Sequence, residues 1–183
     1  MEIFLRYMGD PGFQISVADS AGVHQSTVSR TIDYVSKIIF EKVSDWIKYP
    51  NSPEEIMEAK SLWQKSFTFP VVIGAIDCSH ITIEKLKIHG DEYVNRKGIA
   101  SINVQATCNV KEIFTSVDAS WLELVHDSRI LKNSNIYPTL VQNNWQMTLL
   151  GDSEYALAPW LLTPYRNPQN DEENYYNLQY SKI

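Results

Sequence analysis

Hydrophobic positions in the first fifty residues recur at the spacing of an α-helix. Ile3, Phe4, Tyr7 and Met8 predict a first helix, which the turn cluster at residues 9–12 ends. A short second helix is predicted over about residues 16–20. A third helix is predicted from about residue 25, because apolar residues fall four, three and four positions apart at Val28, Ile32, Val35 and Ile39. An amphipathic stretch over residues 40–47 ends this helical segment.

The segment Tyr-Pro-Asn-Ser-Pro at residues 49–53 separates this helical part from the rest of the chain. Directly after it, Ser52, Pro53 and Glu55 form the pattern of a capping box with proline at the first helical position. That pattern predicts a helix ending near residue 66. We therefore expect two domains, a helical one over residues 1–50 and a second one over residues 51–183.

The pattern in the second part changes from helical spacing to short apolar runs. These runs predict strands at residues 71–76, 81–83, 101–108, 113–117, 148–150 and 160–162. A helical interval is predicted over residues 128–141, and the polar residues 166–173 indicate a loop. The predicted fold class is therefore mixed α/β.

Residues 17–30 carry the first specific signal. Gly22 suits the left-handed turn between two helices, Ala18 allows their close approach, and Val23 and Val28 can anchor the second helix. The pattern resembles the helix-turn-helix of many bacterial regulators and transposases. The polar residues at the start of its second helix are the expected DNA contacts: Gln25, Ser26, Thr27, Ser29 and Arg30. A helical hairpin that only packs on another domain is the alternative.

Composition and charge restrict the function. The 183 residues have a net charge of −6, which argues against unspecific coating of nucleic acid, and residues 1–50 have a net charge of −1. Two cysteines, Cys78 and Cys108, cannot form a disulfide framework or a zinc-finger pattern. No apolar run is long enough to cross a membrane, and the acidic start at Glu2 does not resemble a secretion signal. A reduced intracellular compartment is the expectation.

Three aspartates are candidate metal ligands. Asp77 and Asp152 each follow an apolar strand, and Asp127 precedes the predicted helical interval. Strand-end carboxylates can converge when their strands are neighbours, although each could also be structural, and Asp127 could equally be an N-cap. Converging carboxylates suit Mg²⁺ or Mn²⁺, and two such ions support phosphodiester cleavage.

Several ordered blocks of sequence resemble the PIF/Harbinger transposase family and its harbinger transposase-derived nucleases. The resemblance covers nearly the whole chain, and its blocks lie at residues 74–81, 93–98, 101–106, 125–129, 149–153 and 161–165. It implies an RNase H-like nuclease domain behind the helix-turn-helix, with an Asp-Asp-Glu triad and a divalent metal ion. Asp77 and Asp152 match the two aspartates, and Asp127 matches a further acid near the metal.

The resemblance also implies partners and a location. DNA is the expected substrate. Arg96 and Lys97 match a polar block of the family, and contact with the DNA backbone and a solvated turn explain these two residues equally well. A Myb-like DNA-binding protein is the expected partner protein. The nucleus is the expected location, with the cytoplasm as an alternative.

The chain departs from the family at the third carboxylate. The catalytic Glu of the family lies on a helix beyond an Asn-Leu block, and this chain ends shortly after the matching Asn177 and Leu178. Glu172 and Glu173 precede that block, and turn residues of the family are replaced around Leu122 and Glu154. We therefore expect a nuclease domain without its last helix, impaired in catalysis. The alternatives are a non-catalytic DNA-binding or protein-binding remnant and a fragment that does not fold.

Overall fold

The computed structural model describes residues 1–9, 13–88, 90–94, 98–122, 125–142 and 147–183. The chain divides into two compact units, Met1–Ile47 and Lys48–Ile183. None of the helices in the described ranges is long and apolar enough to cross a membrane.

The first unit consists of helices around a small apolar core. Its helices are α1 Glu2–Gly9, α2 Gln14–Ala21, α3 Gln25–Glu41 and α4 Val43–Trp46. Val17, Ala18 and Val28 form the core between α2 and α3. Gly22 has a φ of 64° and ends α2, because this left-handed conformation costs glycine little. The turn predicted at Gly22 is therefore confirmed.

The second unit contains a five-stranded sheet and the remaining helices. Its elements in chain order are α5 Pro53–Phe67, β1 Val72–Thr82, a short 3₁₀ helix Gly90–Tyr93, β2 Ser101–Cys108, β3 Phe114–Leu122, α6 Asp127–Asn133, α7 Tyr137–Gln142, β4 Thr148–Leu150, β5 Leu161–Leu162 and α8 Asp171–Tyr180. The strand order is β3-β2-β1-β4-β5. β1 pairs antiparallel with β2 and parallel with β4. The mixed α/β class is confirmed, and the sheet is consistent with an RNase H-like nuclease fold.

The start of α5 follows the predicted chemistry. The Ser52 hydroxyl accepts a hydrogen bond from the Glu55 amide at 3.2 Å, and the Glu55 carboxylate accepts one from the Ser52 amide at 3.3 Å. Pro53 is the first residue of the helix. The predicted capping box is therefore confirmed.

Four boundaries predicted from sequence are wrong, and one of them is the end of β3, which lies at Leu122 rather than at residue 117. β1 is one strand from Val72 to Thr82 rather than two, because it pairs with β2 over Ala75–Thr82 although its burial pattern changes at Asp77. The helical interval over 128–141 is two helices, which Ser134 and its neighbours separate. Residues 171–173 are the first turn of α8 rather than a loop, and Asn170 caps that turn through a 2.8 Å hydrogen bond from the Glu173 amide.

Two apolar clusters pack around the parts of β1 and β4 that lead to the candidate site. α5 contributes Ile56 to one apolar cluster and Trp63 to another. Tyr180 of α8 packs against the second cluster, and its hydroxyl donates to the carbonyl oxygen of Gly151 at 2.5 Å. α8 therefore holds the chain just after β4, next to Asp152.

Candidate metal centre

The parallel pairing of β1 and β4 brings two of the three candidate carboxylates to one edge. The last residues paired between these strands are Ala75 and Leu150. Asp77 and Asp152 each lie two residues further along their chains. Because parallel neighbours run in the same direction, both aspartates leave the paired region at the same end. Asp77 lies within β1 rather than at the end of a strand, so the strand end that was predicted for it is wrong.

The carboxylate of Asp127, at the beginning of α6, lies close to those of Asp77 and Asp152. The N-cap of this helix is His126, and Asp127 is its first residue, so the alternative of Asp127 as N-cap is wrong. One carboxylate oxygen of each aspartate lies within 4.8 Å of the others, in the cluster Asp77, Asp127 and Asp152. The sheet and α6 therefore bring together three residues that are up to 75 positions apart in the sequence.

Each of the three carboxylates is held by an amide. The backbone amide of Cys78 donates to Asp77 Oδ1 at 2.8 Å, and that of Glu154 donates to Asp152 Oδ1 at 2.9 Å. The side-chain amide of Asn103 donates to Asp127 Oδ1 at 3.4 Å. All three donors are neutral, so they orient the carboxylates without cancelling their charge.

The electrostatics of the cluster favour a cation. Partial burial raises the pKa of Asp77, the hydrogen bond from the Cys78 amide opposes this shift, and the charges of Asp152 and Asp127 add to it. The ion pairs formed between described residues do not include any of the three aspartates. Their mutual repulsion is therefore not compensated by a basic side chain within the described part of the chain.

The geometry of the cluster fits a divalent ion. Carboxylate oxygens are the ligands that Mg²⁺ prefers, and bonds of about 2.1 Å allow one ion to join oxygens up to about 4.2 Å apart. The observed limit of 4.8 Å requires only a small rotation of the side chains to reach that spacing. The three aspartates therefore could hold Mg²⁺ or the chemically similar Mn²⁺.

A polar layer of the buried Gln105 and Tyr155 and the half-buried Cys78 lies behind the aspartates, and sequence reasoning missed it. The Cys78 thiol and the Tyr155 hydroxyl are 3.2 Å apart, and Gln105 Nε2 donates to Tyr155 Oη at 3.5 Å. Burial is the main cause that raises the pKa of Cys78 to about 11, so the thiol stays protonated beside the carboxylates. The signal in the sequence was a polar residue at every second position of β2.

The residues predicted to contact DNA lie in the first unit or outside the described residues. Gln25, Ser26, Ser29 and Arg30 are exposed at the start of α3, and Thr27 is half-buried there. Arg30 Nε donates to the Ser26 carbonyl at 3.1 Å, so its guanidinium lies along the helix. Arg96 and Lys97 lie outside the described residues.

Glu172 and Glu173, near the end of the chain, lie in the first turn of α8 and outside the carboxylate cluster. Glu173 completes the cap of α8, since its carboxylate accepts hydrogen bonds from the Gln169 amide at 2.6 Å and from Asn170 Nδ2 at 3.1 Å. Glu172 lies in the same turn. The expected position of these glutamates in a loop is wrong, and neither belongs to the group of three carboxylates described above.

Comparisons with known proteins identify the family. The sequence profile described as "DDE superfamily endonuclease" matches residues 76–183. "Putative nuclease HARBI1" of Rattus norvegicus is 32% identical over 173 residues, which are 92% of this chain and 49% of that protein. The Homo sapiens protein of the same name is 30% identical with the same coverage, and "Protein ALP1-like" of Arabidopsis thaliana is 27% identical over 98% of this chain and 48% of its own length.

The chain spans about half the length of the curated relatives it matches. No solved structure matches it. The matched profile covers more than half of the chain, including Asp77, Asp127 and Asp152. The chain therefore belongs to the DDE superfamily endonucleases and is a harbinger transposase-derived, nuclease-like protein.

Proposed function

We propose that the second unit binds Mg²⁺ or Mn²⁺ through Asp77, Asp127 and Asp152 and hydrolyses phosphodiester bonds of DNA. The observation that supports this proposal is the approach of the three carboxylates to within 4.8 Å of one another. The family and the names of the nuclease relatives support the reaction class. Membership of the family does not depend on this proposal.

The residues of the cluster have separate tasks in this proposal. A bound divalent ion supplies Lewis acidity at a phosphoryl oxygen and lowers the pKa of a water nucleophile. The three carboxylates hold the ion, and the amides of Cys78 and Glu154 keep Asp77 and Asp152 oriented toward it. Without a cation the cluster would repel a phosphodiester, so DNA binding at this place depends on the metal.

Residues 1–183 contain no match to the catalytic Glu of the family, and this limits the nuclease activity that we expect of them. No glutamate follows the Asn177–Leu178 block within these residues, and Glu173 is engaged in the cap of α8. We propose that residues 1–183 bind the metal but cleave DNA much more slowly than a chain that also contains the family's Glu-bearing helix. The activity of the whole protein is part of this proposal, since the relatives are about twice as long.

Metal binding and cleavage test the two parts of this proposal separately. Isothermal titration calorimetry with Mn²⁺ should show binding to the parent chain and at least tenfold weaker binding to Asp77→Asn and Asp152→Asn. Asp91→Asn is the matched control, because Asp91 is an exposed carboxylate that pairs with Lys85 at 2.6 Å, outside the cluster. Equal Mn²⁺ affinity in all four proteins would rule out the proposed centre.

Cleavage is measured on a supercoiled plasmid with Mg²⁺ or Mn²⁺. A chain extended through the Glu-bearing helix should cleave, its Asp77→Asn variant should not, and residues 1–183 should be slower by orders of magnitude. An extended chain that binds Mn²⁺ but leaves the plasmid intact would contradict the nuclease proposal.

A second candidate function is DNA binding by the first unit without cleavage. Its support is the exposed polar start of α3, where Gln25, Ser26, Ser29 and Arg30 are accessible and His24 caps the helix through its ring nitrogen. Since residues 1–50 have a net charge of −1, strong binding would need basic surface from a partner, such as the Myb-like protein expected from the resemblance. A protein with this function would act in the nucleus, and a fluorescent fusion tests this location against the cytoplasm.

Fluorescence anisotropy with labelled duplexes distinguishes the second function from the first. Binding at low salt that persists in Asp77→Asn and weakens in Arg30→Ala would support it. A flat isotherm for every duplex at low salt, with and without Mn²⁺, would exclude it.

A further inference from the structure

The inward-facing positions of β2 are all polar. Ser101, Asn103, Gln105 and Thr107 are each at most 2% exposed. An inward strand face in an α/β domain is normally apolar, because burying polar side chains costs desolvation free energy. This face of β2 therefore needs an explanation other than the packing of a core.

Asn103 connects this polar face to the carboxylate cluster. Its Nδ2 donates to Asp127 Oδ1 and to the carbonyl oxygen of Val125, both at 3.4 Å. Val125 and Asp127 lie on either side of His126, the N-cap of α6. One buried amide group thus holds both sides of the turn that presents Asp127.

The hydrogen bonding of Asn103 is incomplete in a way that indicates a role beyond stability. Its Oδ1 is buried and has no hydrogen-bond partner among the described residues. An unsatisfied buried carbonyl is costly, and an apolar side chain of similar size would avoid this cost. An apolar side chain at position 103 would, however, lack the amide that donates a hydrogen bond to Asp127.

A neutral donor suits a carboxylate that must bind a cation. Lys or Arg at position 103 would orient Asp127 but would also cancel the charge that attracts the metal. The amide of Asn103 fixes one oxygen of Asp127 and leaves its negative charge in place. Partners of this kind, behind the ligands, typically change metal affinity by 10- to 100-fold.

The neighbouring Gln105 extends the arrangement to the second aspartate. Gln105 Nε2 donates to Tyr155 Oη at 3.5 Å, and the Tyr155 amide donates to the carbonyl oxygen of Asp152 at 3.3 Å. Two successive inward positions of β2 thus support the turns that carry Asp127 and Asp152. The contact of Asn103 is the more direct, because it reaches the carboxylate itself.

We propose that Asn103 is a positioning residue, which holds Asp127 in the orientation that binds a divalent cation together with Asp77 and Asp152. This inference rests on the proposed metal centre and adds to it a residue behind the ligands. Asn103 acts through Asp127 and has no role as a ligand.

Mn²⁺ affinity, measured by isothermal titration calorimetry, tests the proposal. Asn103→Leu and Asn103→Ser should bind Mn²⁺ at least tenfold more weakly than the parent. Thr107→Val is the matched control, because Thr107 is buried on the same face of β2 and its hydroxyl bonds that of Thr115 at 2.8 Å, away from the carboxylates. Its Mn²⁺ affinity should stay within threefold of the parent.

A double-mutant cycle separates positioning from a general structural effect. Asp127→Asn should weaken Mn²⁺ binding, and adding Asn103→Leu to it should cause no further loss if Asn103 acts through Asp127. Losses that simply multiply would overturn the proposal. Asn103 variants that bind Mn²⁺ like the parent would also overturn it, whereas a parent that binds no Mn²⁺ would overturn the metal centre as well.

If the variants do not fold, an NMR measurement on the unmodified chain tests whether Asn103 positions Asp127. The side-chain amide resonances of Asn103 in NMR spectra should shift when Mg²⁺ is added, in parallel with the backbone amides of Cys78 and Glu154, which also donate to the cluster. If those two amides shift and the Asn103 resonances do not, the proposal is wrong.

Discussion

Asp77 and Asp152 each lie two residues beyond Ala75 and Leu150, the last pair that joins β1 to β4. This equal offset on two parallel strands brings the two carboxylates together, and α6 adds Asp127 as the third. The cluster therefore depends on the register of a pairing that involves only three residues of β4.

Mn²⁺ should stabilise the parent chain more than it stabilises the Asp77→Asn variant. In the absence of metal, Asp77→Asn should raise the melting temperature of the second unit by about 1–3 °C, because it removes one of three repelling charges. Mn²⁺ at one hundred times its Kd should add about 2.7 kcal/mol to the stability of the parent. Differential scanning calorimetry with and without Mn²⁺ measures both effects, and an equal Mn²⁺ shift in parent and variant would contradict them.

Arg30 should contribute to DNA affinity if α3 is the recognition helix. Arg30→Ala should weaken binding to duplex DNA and reduce the slope of log K against log salt by about 1 if it contacts a phosphate. Lys37→Ala is the control, since Lys37 lies on the same helix and pairs with Asp33 at 2.9 Å. Equal losses in the two variants would indicate a nonspecific effect of charge.

The capping box of α5 should make stability depend on pH. Hydrogen bonds from the backbone amides of Asn51 and Ser52 and the charge of Lys48 lower the pKa of Glu55 from its ordinary value of 4.5. The ionised carboxylate therefore stabilises the folded chain fully above about pH 4.5, and this contribution is lost as the pH falls through the lower folded-state pKa.

Denaturation in urea between pH 6 and pH 3 checks this dependence. The parent should lose more stability on acidification than Glu55→Gln, and Glu54→Gln should behave like the parent because Glu54 lies outside the box. Ser52→Ala should cost about 1 kcal/mol at pH 7. A Glu55→Gln variant with the same pH dependence as the parent would show that the box does not form in solution.

Gly74 should be intolerant of a side chain. A Cβ atom there would lie 2.7 Å from the carbonyl oxygen of Cys108, which is backbone and cannot move without distorting β2. Gly74→Ala should therefore destabilise the second unit by about 1–3 kcal/mol, as measured by thermal unfolding. Gly9→Ala is the control, because the described residues, apart from the chain neighbours and the backbone of its own helix, place no atom within 4 Å of the corresponding Cβ, and its effect should be small.

The elements with strong local signals could be predicted from the sequence. α5 begins at the capping box of Ser52, α2 ends at Gly22, and β2 has the predicted bounds Ser101–Cys108. The start of α8 was missed although Asn170 and Glu173 carry a local capping signal. What the local pattern does not contain is the packing of α8, in which Tyr176 and Tyr180 contact Phe69. Contacts of that kind join residues more than a hundred positions apart.

In the candidate site, too, some features follow from local sequence and others depend on contacts between distant residues. The sequence by itself determined which carboxylates follow apolar runs and which family the surrounding segments resemble, because these are properties of short segments. Only the tertiary structure decided that Asp77, Asp127 and Asp152 meet, and that Asn103 stands behind Asp127. The physical reason is that strand register and the packing of α6 set distances between residues far apart in the chain, and no local pattern contains that information.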